Sequence, residues 1–142
     1  MNKKAELFSA YLQEKGITAF QVEEYADELN TVVFRSNIAV EGQNLLTSVI
    51  TDNSIFTMIR VLIANAAVKE ENKANITEAI NKMNAQYKIF KYYYVEDGSL
   101  VLDSCILNKP EEIDGDMVRT VLELIVNHIL PEYKNIMKTI WA

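Results

Sequence analysis

The spacing of apolar residues along this chain switches between a helical period and a period of two, and each switch marks an element. From 2 to 15, Ala5, Phe8 and Leu12 share one face while Lys4, Glu6, Gln13 and Glu14 lie mostly elsewhere, which predicts a helix. Gly16, directly after Lys15, supplies a C-cap, and Ile17 can fold back onto the last turn. Phe20 and Val22 alternate with Gln21 and Glu23 as a short edge strand. From Thr31 the period is two: Val32, Phe34, Ile38 and Val40 take one side, Arg35, Asn37 and Glu41 the other. Glu41-Gly42-Gln43-Asn44 reads as a hairpin turn, Leu45 to Thr51 as the returning strand, and Thr51-Asp52-Asn53-Ser54 as a second turn. In Ile55 to Ala66 both parities are apolar, Ile55, Ile59, Val61 and Ile63 against Phe56, Met58, Leu62 and Ala64. Such a strand belongs mid-sheet, with cover on each side from a helix or another subunit.

A helix from about Glu71 to Gln86 follows, with Ile76, Ala79, Ile80, Met83 and Tyr87 inward and Asn75 with Glu78 as a capping pair. Ile89 to Val95 and Leu100 to Leu107 flank Glu96-Asp97-Gly98-Ser99, and Asp-Gly favours a two-residue type I′ turn. That turn pairs Tyr93 with Leu102 and Val95 with Leu100 on a core face. It leaves an aromatic ladder of Phe90, Tyr92 and Tyr94, with Tyr94 opposite Val101, on the other face, which is either a contact surface or covered internally by the middle helix or the last helix. Asp114 can cap a last helix from Gly115 to about Trp141, whose stripe is Val118, Val121, Leu122, Ile125, Ile129, Ile136 and Ile140. Pro131 predicts a kink there, or two helices in sequence. The order is an α+β domain over 1–142: a helix, an antiparallel sheet of five to six strands interrupted by a helix, and a long C-terminal helix.

Composition narrows the function classes. With 142 residues, 49% hydrophobic, four glycines and two prolines, the chain can bury a core without disulfides or a structural metal. Fourteen basic against twenty acidic residues give a formal charge of -6, which disfavours nucleic acid and favours basic or apolar partners. Lys88 and Lys91 beside aromatic residues do not outweigh that balance. No apolar run resembles a signal segment or a membrane span, and a lone Cys105 fits a reducing cytoplasm.

No residue set carries recognisable chemistry. His128 is the only histidine and reads as a partly exposed helical residue. Cys105 lacks an activating partner and reads as a small buried or half-buried apolar residue. Glu111, Glu112, Asp114 and Asp116 lack calcium-loop spacing, and their place at a helix start already has a reason in capping and the helix dipole. There is no phosphate loop, nucleophile elbow or HExxH. The expectation is a protein without catalytic residues, cofactor or metal.

Ala79-Ile80-Asn81-Lys82-Met83-Asn84, then Tyr87-Lys88-Ile89-Phe90-Lys91, then Asp97-Gly98-Ser99-Leu100-Val101-Leu102, in this order of elements, resemble the YbjN-like bacterial domain family, best from Asn72 onward. That family looks like the class I type III secretion chaperones in fold. The resemblance implies a small, acidic, dimeric protein that holds extended segments of a partner, and it carries no active site to transfer. The favoured function is a non-enzymatic protein-binding module, a cytoplasmic homodimer, chaperone-like or regulatory. It would recognise a protein segment through an apolar sheet or groove, with Phe90, Tyr92, Tyr94 and Val101 as contact residues. The alternative is a small-ligand sensor or minor enzyme with a pocket between sheet and C-terminal helix, which converging carboxylates in a deep pocket would favour.

Overall fold

Nine elements follow one another in the computed structural model, which describes residues 1–142: α1 (Lys3–Glu14), β1 (Gln21–Glu24), β2 (Val32–Val40), β3 (Gln43–Thr51), β4 (Phe56–Ala64), α2 (Lys73–Gln86), β5 (Lys91–Tyr94), β6 (Leu100–Leu107) and α3 (Gly115–Trp141). All strand pairs are antiparallel, in the spatial order β1-β2-β3-β4-β6-β5. This is the α+β class that the periodicities predict.

Local chemistry sets the ends of α1. The Asn2 side chain accepts from the Ala5 N–H at 2.7 Å. At the other end the Gly16 N–H reaches the Gln13 carbonyl and the Ile17 N–H the Leu12 carbonyl, the paired bonds of a Schellman cap. Phe8 meets Phe34 edge to face, 4.9 Å between centroids, which seats the helix on β2. Lys4 departs from expectation: it is fully buried, its Nζ donating to the Phe56 carbonyl at 2.6 Å and to Thr57 Oγ1 at 3.1 Å. A long aliphatic stem lets lysine cross apolar surface when polar partners wait at its far end.

The two hairpins exchange the turn chemistry that the sequence predicts. At the first, Val40 pairs with Gln43 and both Glu41 (φ 48) and Gly42 (φ 75) are left-handed, so the turn has two residues and Gln43 and Asn44 already belong to β3. At the second, the Gly98 N–H donates to the Val95 carbonyl and the Val95 N–H to the Ser99 carbonyl. Gly98 has φ 82 while Asp97 is not left-handed. That is a three-residue loop, Glu96 to Gly98, closed by a glycine bulge in place of the expected type I′ turn. The register moves by one residue, to Tyr92 opposite Leu102 and Tyr94 opposite Leu100. A one-residue slip exchanges the faces of a strand, so Phe90 and Tyr92 turn inward and Lys91 and Tyr93 outward.

The helices cover one side of the sheet. Beneath them lie Phe34, Val49, Ile59, Val61, Leu100 and Leu102, fully or almost fully buried. The apolar second parity of β4 gains no helix: Phe56 is exposed, and Met58 and Leu62 are half-buried. In α2 the expected Asn75 and Glu78 cap is absent, and Asn72 takes the N-cap position. Its side chain bonds outward, Nδ2 donating to the carbonyls of Ala67 and Ile140 and Oδ1 accepting from the Lys69 N–H. Helix α3 runs unbroken through Pro131. The expected division into two helices does not occur, because Ile125 and Ile129 before the proline and Tyr133, Ile136 and Ile140 after it are all buried. Asn127 and Pro131 lie on the solvent side, where water can satisfy the carbonyl that proline leaves free.

A Cβ at position 98 would meet the Val68 carbonyl oxygen at 2.5 Å. Gly98→Val is therefore expected to lose about 3 kcal/mol, from left-handed strain and overlap together. Urea denaturation midpoints of the variant and the parent check it, and coincident midpoints would contradict this turn.

Candidate functional site

Two places gather side chains that sequence leaves apart: the helix-free face of the sheet and the histidine of α3. On the free face the register stacks residues into rows. Val33, Ile50, Met58 and Cys105 form one, and Arg35, Ser48, Arg60, Asp103 and Lys91 the next. Leu62, Val101 and Tyr93 follow on the other side of the charged row, and Phe56 stands opposite Leu107 beyond the first. Leu46, Phe56 and Leu107 are the exposed large apolar groups of this face.

Asp103 anchors the charged row. It is 3% exposed, accepts from Arg60 Nε at 2.9 Å and Nη2 at 3.0 Å, and accepts from the Tyr93 hydroxyl at 2.7 Å. The bond to Asp103 raises Arg60, and burial with that same bond raises the Tyr93 phenol, so both keep their protons. Both oxygens of the carboxylate are thus occupied, by a bidentate guanidinium and a phenol. It is suited to fixing a surface. Cys105 lies beside it, exposed and not buried as expected, because its parity faces away from the helices.

The ladder proposed from sequence divides. Phe90 (7% exposed) and Tyr92 (2%) lie in the core beneath α3, and half-buried Tyr94 hydrogen-bonds Thr77 of α2. Only Val101 belongs to the free face, and there it is buried between Leu62 and Tyr93, its neighbours on either side. Phe90 and Tyr92 are thus interior residues and not partner contacts, the consequence of the shifted register. Sequence reasoning missed Arg60, Tyr93 and Asp103. One signal was available: a lone arginine inside the apolar run Ile55 to Ala66 needs a carboxylate on a neighbouring strand, and Asp103 is the only acid in Leu100 to Leu107.

His128 is buried among Tyr87, Phe90 and Tyr92, with ring centroids 4.5, 4.5 and 5.7 Å away. This corrects the expectation of a partly exposed residue. Its Nε2 and the Tyr92 hydroxyl are 2.6 Å apart. Burial lowers the imidazole below its ordinary value, Glu132 opposing, and burial raises the phenol. Both groups are neutral at pH 7, so the tyrosine O–H donates to Nε2.

Between α2 and α3 lies a cavity of about 220 Å³, lined by Ile76, Ile80, Met83, Leu100 and Ile136 among others, with Lys82 and Glu132 its only charged groups. It is smaller than a typical ligand pocket of roughly 300 to 1,000 Å³, and no carboxylates converge in it. No three His, Cys, Asp or Glu side chains come together in a metal-holding group. Asp114 caps α3 by accepting from the Met117 N–H, and Asp116 accepts from the Tyr11 hydroxyl. No helix is long and apolar enough to cross a membrane. No family model matches the chain, and no curated protein matches it.

The histidine gives a pH prediction. The unfolded chain takes up a proton near the ordinary value of 6.5 while the folded imidazole, held lower, resists it. This contribution to stability is whole above that pH and is lost as pH falls from 6.5 toward the lower folded value. We expect the urea midpoint of the parent to drop between about pH 7 and about pH 5, and a smaller drop in His128→Gln. Parallel profiles would contradict the assignment.

Proposed function

We propose that this chain is a non-enzymatic protein-binding module, chaperone-like or regulatory, that works in the cytoplasm as a homodimer joined through the helix-free face of its sheet. One observation carries the reading: all three helices cover the same face, and the other keeps apolar rows on both sides of a fixed ion pair. A second copy fits such a face because a two-fold contact requires one patch to complement itself, and apolar rows flanking a neutral Arg60–Asp103 pair do so. Burying that pair costs less than usual, since Asp103 already has its partners inside the chain. The four long strands, about 4.8 Å apart and about 30 Å long, offer on the order of 500 Å² per copy. Two copies therefore reach about 1,000 Å² in total, the lower bound for a stable interface. The resemblance to the YbjN-like family points the same way, toward a small acidic dimer that holds a segment of another protein. The sensor or enzyme alternative would need converging carboxylates, and neither the cavity of about 220 Å³ between α2 and α3 nor the cleft of about 630 Å³ between β3, β4 and the end of α3 has more than one, Glu132 in the first and Glu41 in the second.

Sedimentation at about 50 µM is the test. The parent should sediment at twice the chain mass of 16.2 kDa. The double variant Leu46→Glu, Phe56→Glu, which puts charges on two exposed apolar positions of the face, should sediment as a monomer with unchanged circular dichroism. A monomeric parent, or a double variant that stays dimeric, overturns the reading.

A further inference from the structure

Helix α3 carries a side chain whose hydrogen-bonding capacity the fold uses only in part. His128 Nε2 meets the Tyr92 hydroxyl at 2.6 Å. Because that hydroxyl donates, the neutral ring carries its one proton on Nδ1. Nδ1 has no hydrogen-bond partner in the chain, and the only fully buried side-chain polar atom without one is Asn108 Oδ1. Nδ1 therefore reaches the surface, although the residue as a whole is only 7% exposed. The ring opens onto a hollow of about 510 Å³ between α3 and the segment from Gln86 to Phe90, a size within the roughly 300 to 1,000 Å³ of small-molecule sites.

A backbone group in the same hollow is also left over. Pro131 has no N–H, so the carbonyl of Asn127, four residues earlier, lacks its helical donor, and both residues line the hollow. A donor at His128 Nδ1 and an acceptor at the Asn127 carbonyl thus stand on successive residues of one helix. The charged groups repeat that arrangement. Lys88 and Glu132 both line the hollow, and neither takes part in an ion pair with the other or with the rest of the chain.

An occupant of one sign is ill suited to this set, since an anion drawn to Lys88 meets Glu132 and a cation drawn to Glu132 meets Lys88. An occupant carrying both signs satisfies all four groups. Its carboxylate accepts from His128 Nδ1–H and Lys88, and its ammonium donates to the Asn127 carbonyl and Glu132. Because the donor and the acceptor come from neighbouring residues, the two charges have to sit close together, as they do when one carbon bears both. Ile89 and Leu124, exposed on the walls of the hollow, offer apolar contact to an aliphatic group on that carbon.

We propose that this hollow binds a free α-amino acid with an aliphatic side chain, its carboxylate on His128 and Lys88 and its amine on the Asn127 carbonyl and Glu132. The site lies on the helical side of the sheet, away from the face assigned to the dimer, and goes beyond the protein-binding reading.

The probe is L-leucine, titrated into the isotope-labelled full chain and followed by its backbone amide resonances. Shifts should centre on Lys88, Asn127 and His128 and give a Kd of about 1 mM or below. Isocaproate, which is leucine without the amine, and isoamylamine, which is leucine without the carboxylate, should each bind at least about tenfold more weakly. Lys88→Met and Glu132→Gln, at half-buried or exposed positions, should each weaken leucine about tenfold with unchanged circular dichroism. Pro131→Ala returns a helical donor to the Asn127 carbonyl and should weaken leucine but not isocaproate. No shift up to about 10 mM leucine, equal binding of either analogue, shifts confined to the surroundings of Trp141, or a Pro131→Ala variant that binds leucine as the parent does would each overturn the proposal. A monomeric parent that binds leucine removes the dimer and keeps this site, and a dimer that ignores leucine does the reverse.

Discussion

Three stretches of chain meet at Gly98, and both faces of the sheet depend on how they meet. Its left-handed backbone closes the β5–β6 loop, and its carbonyl accepts from the Ala67 and Val68 N–H groups at 2.9 Å each. The segment between β4 and α2 is thereby tied to the hairpin that α2 packs against. Ser99 adds a third tie, its hydroxyl oxygen accepting from the Ala66 N–H. The three-residue loop fixes which parity of β5 faces α3. With Gly98 in this place, Tyr92 meets His128 inside and Tyr93 meets Asp103 outside. One residue of slip would carry Lys91 inward and strip both buried polar groups of their partners, at the full cost of desolvated, unpaired groups.

The order of elements was legible because each rests on a local signal: stripes at helical spacing, alternation from Thr31, Gly16 as a stop and Asp114 as a cap. The register of the last hairpin was not. Asp-Gly fits both a two-residue turn and a three-residue loop ending in left-handed glycine, and the choice is made by Val68, thirty residues earlier in the chain, closing over Gly98. The candidate contact residues failed with the register, which is why Phe90 and Tyr92 proved interior. Lys4 on the outer face and a division of the last helix at Pro131 both fail for a related reason. Their local costs are offset by distant groups, the Phe56 carbonyl for one and the buried isoleucines on either side of the helix for the other. The free face was half legible: two apolar parities in β4 could be read from the sequence, but the placement of every helix on one side could not.

Three polar groups set among apolar neighbours divide the molecule by role. Lys4 sits between α1 and β4, donating to the Phe56 carbonyl and Thr57 Oγ1 at the start of that strand with Asp52 Oδ1 4.0 Å away, which is a structural use. The Tyr92–His128 pair joins β5 to α3 and adds pH sensitivity to that junction. Arg60–Asp103 alone lies under a surface that no helix covers. Buried ion pairs add little to stability relative to apolar replacements, and their better-attested use is to fix register or orientation. An outward-facing pair between two apolar rows would set how a second copy aligns across the face.

The edges of the sheet are guarded against strand addition. Open edges invite strand addition, and proteins blunt them with short strands and charges. Both edge strands here have four residues; β1 carries Glu23 and Glu24, and β5 carries Lys91. Glu23 is tied to Arg35 and Glu24 to the N-terminal amine, so the β1 edge keeps its charges in place.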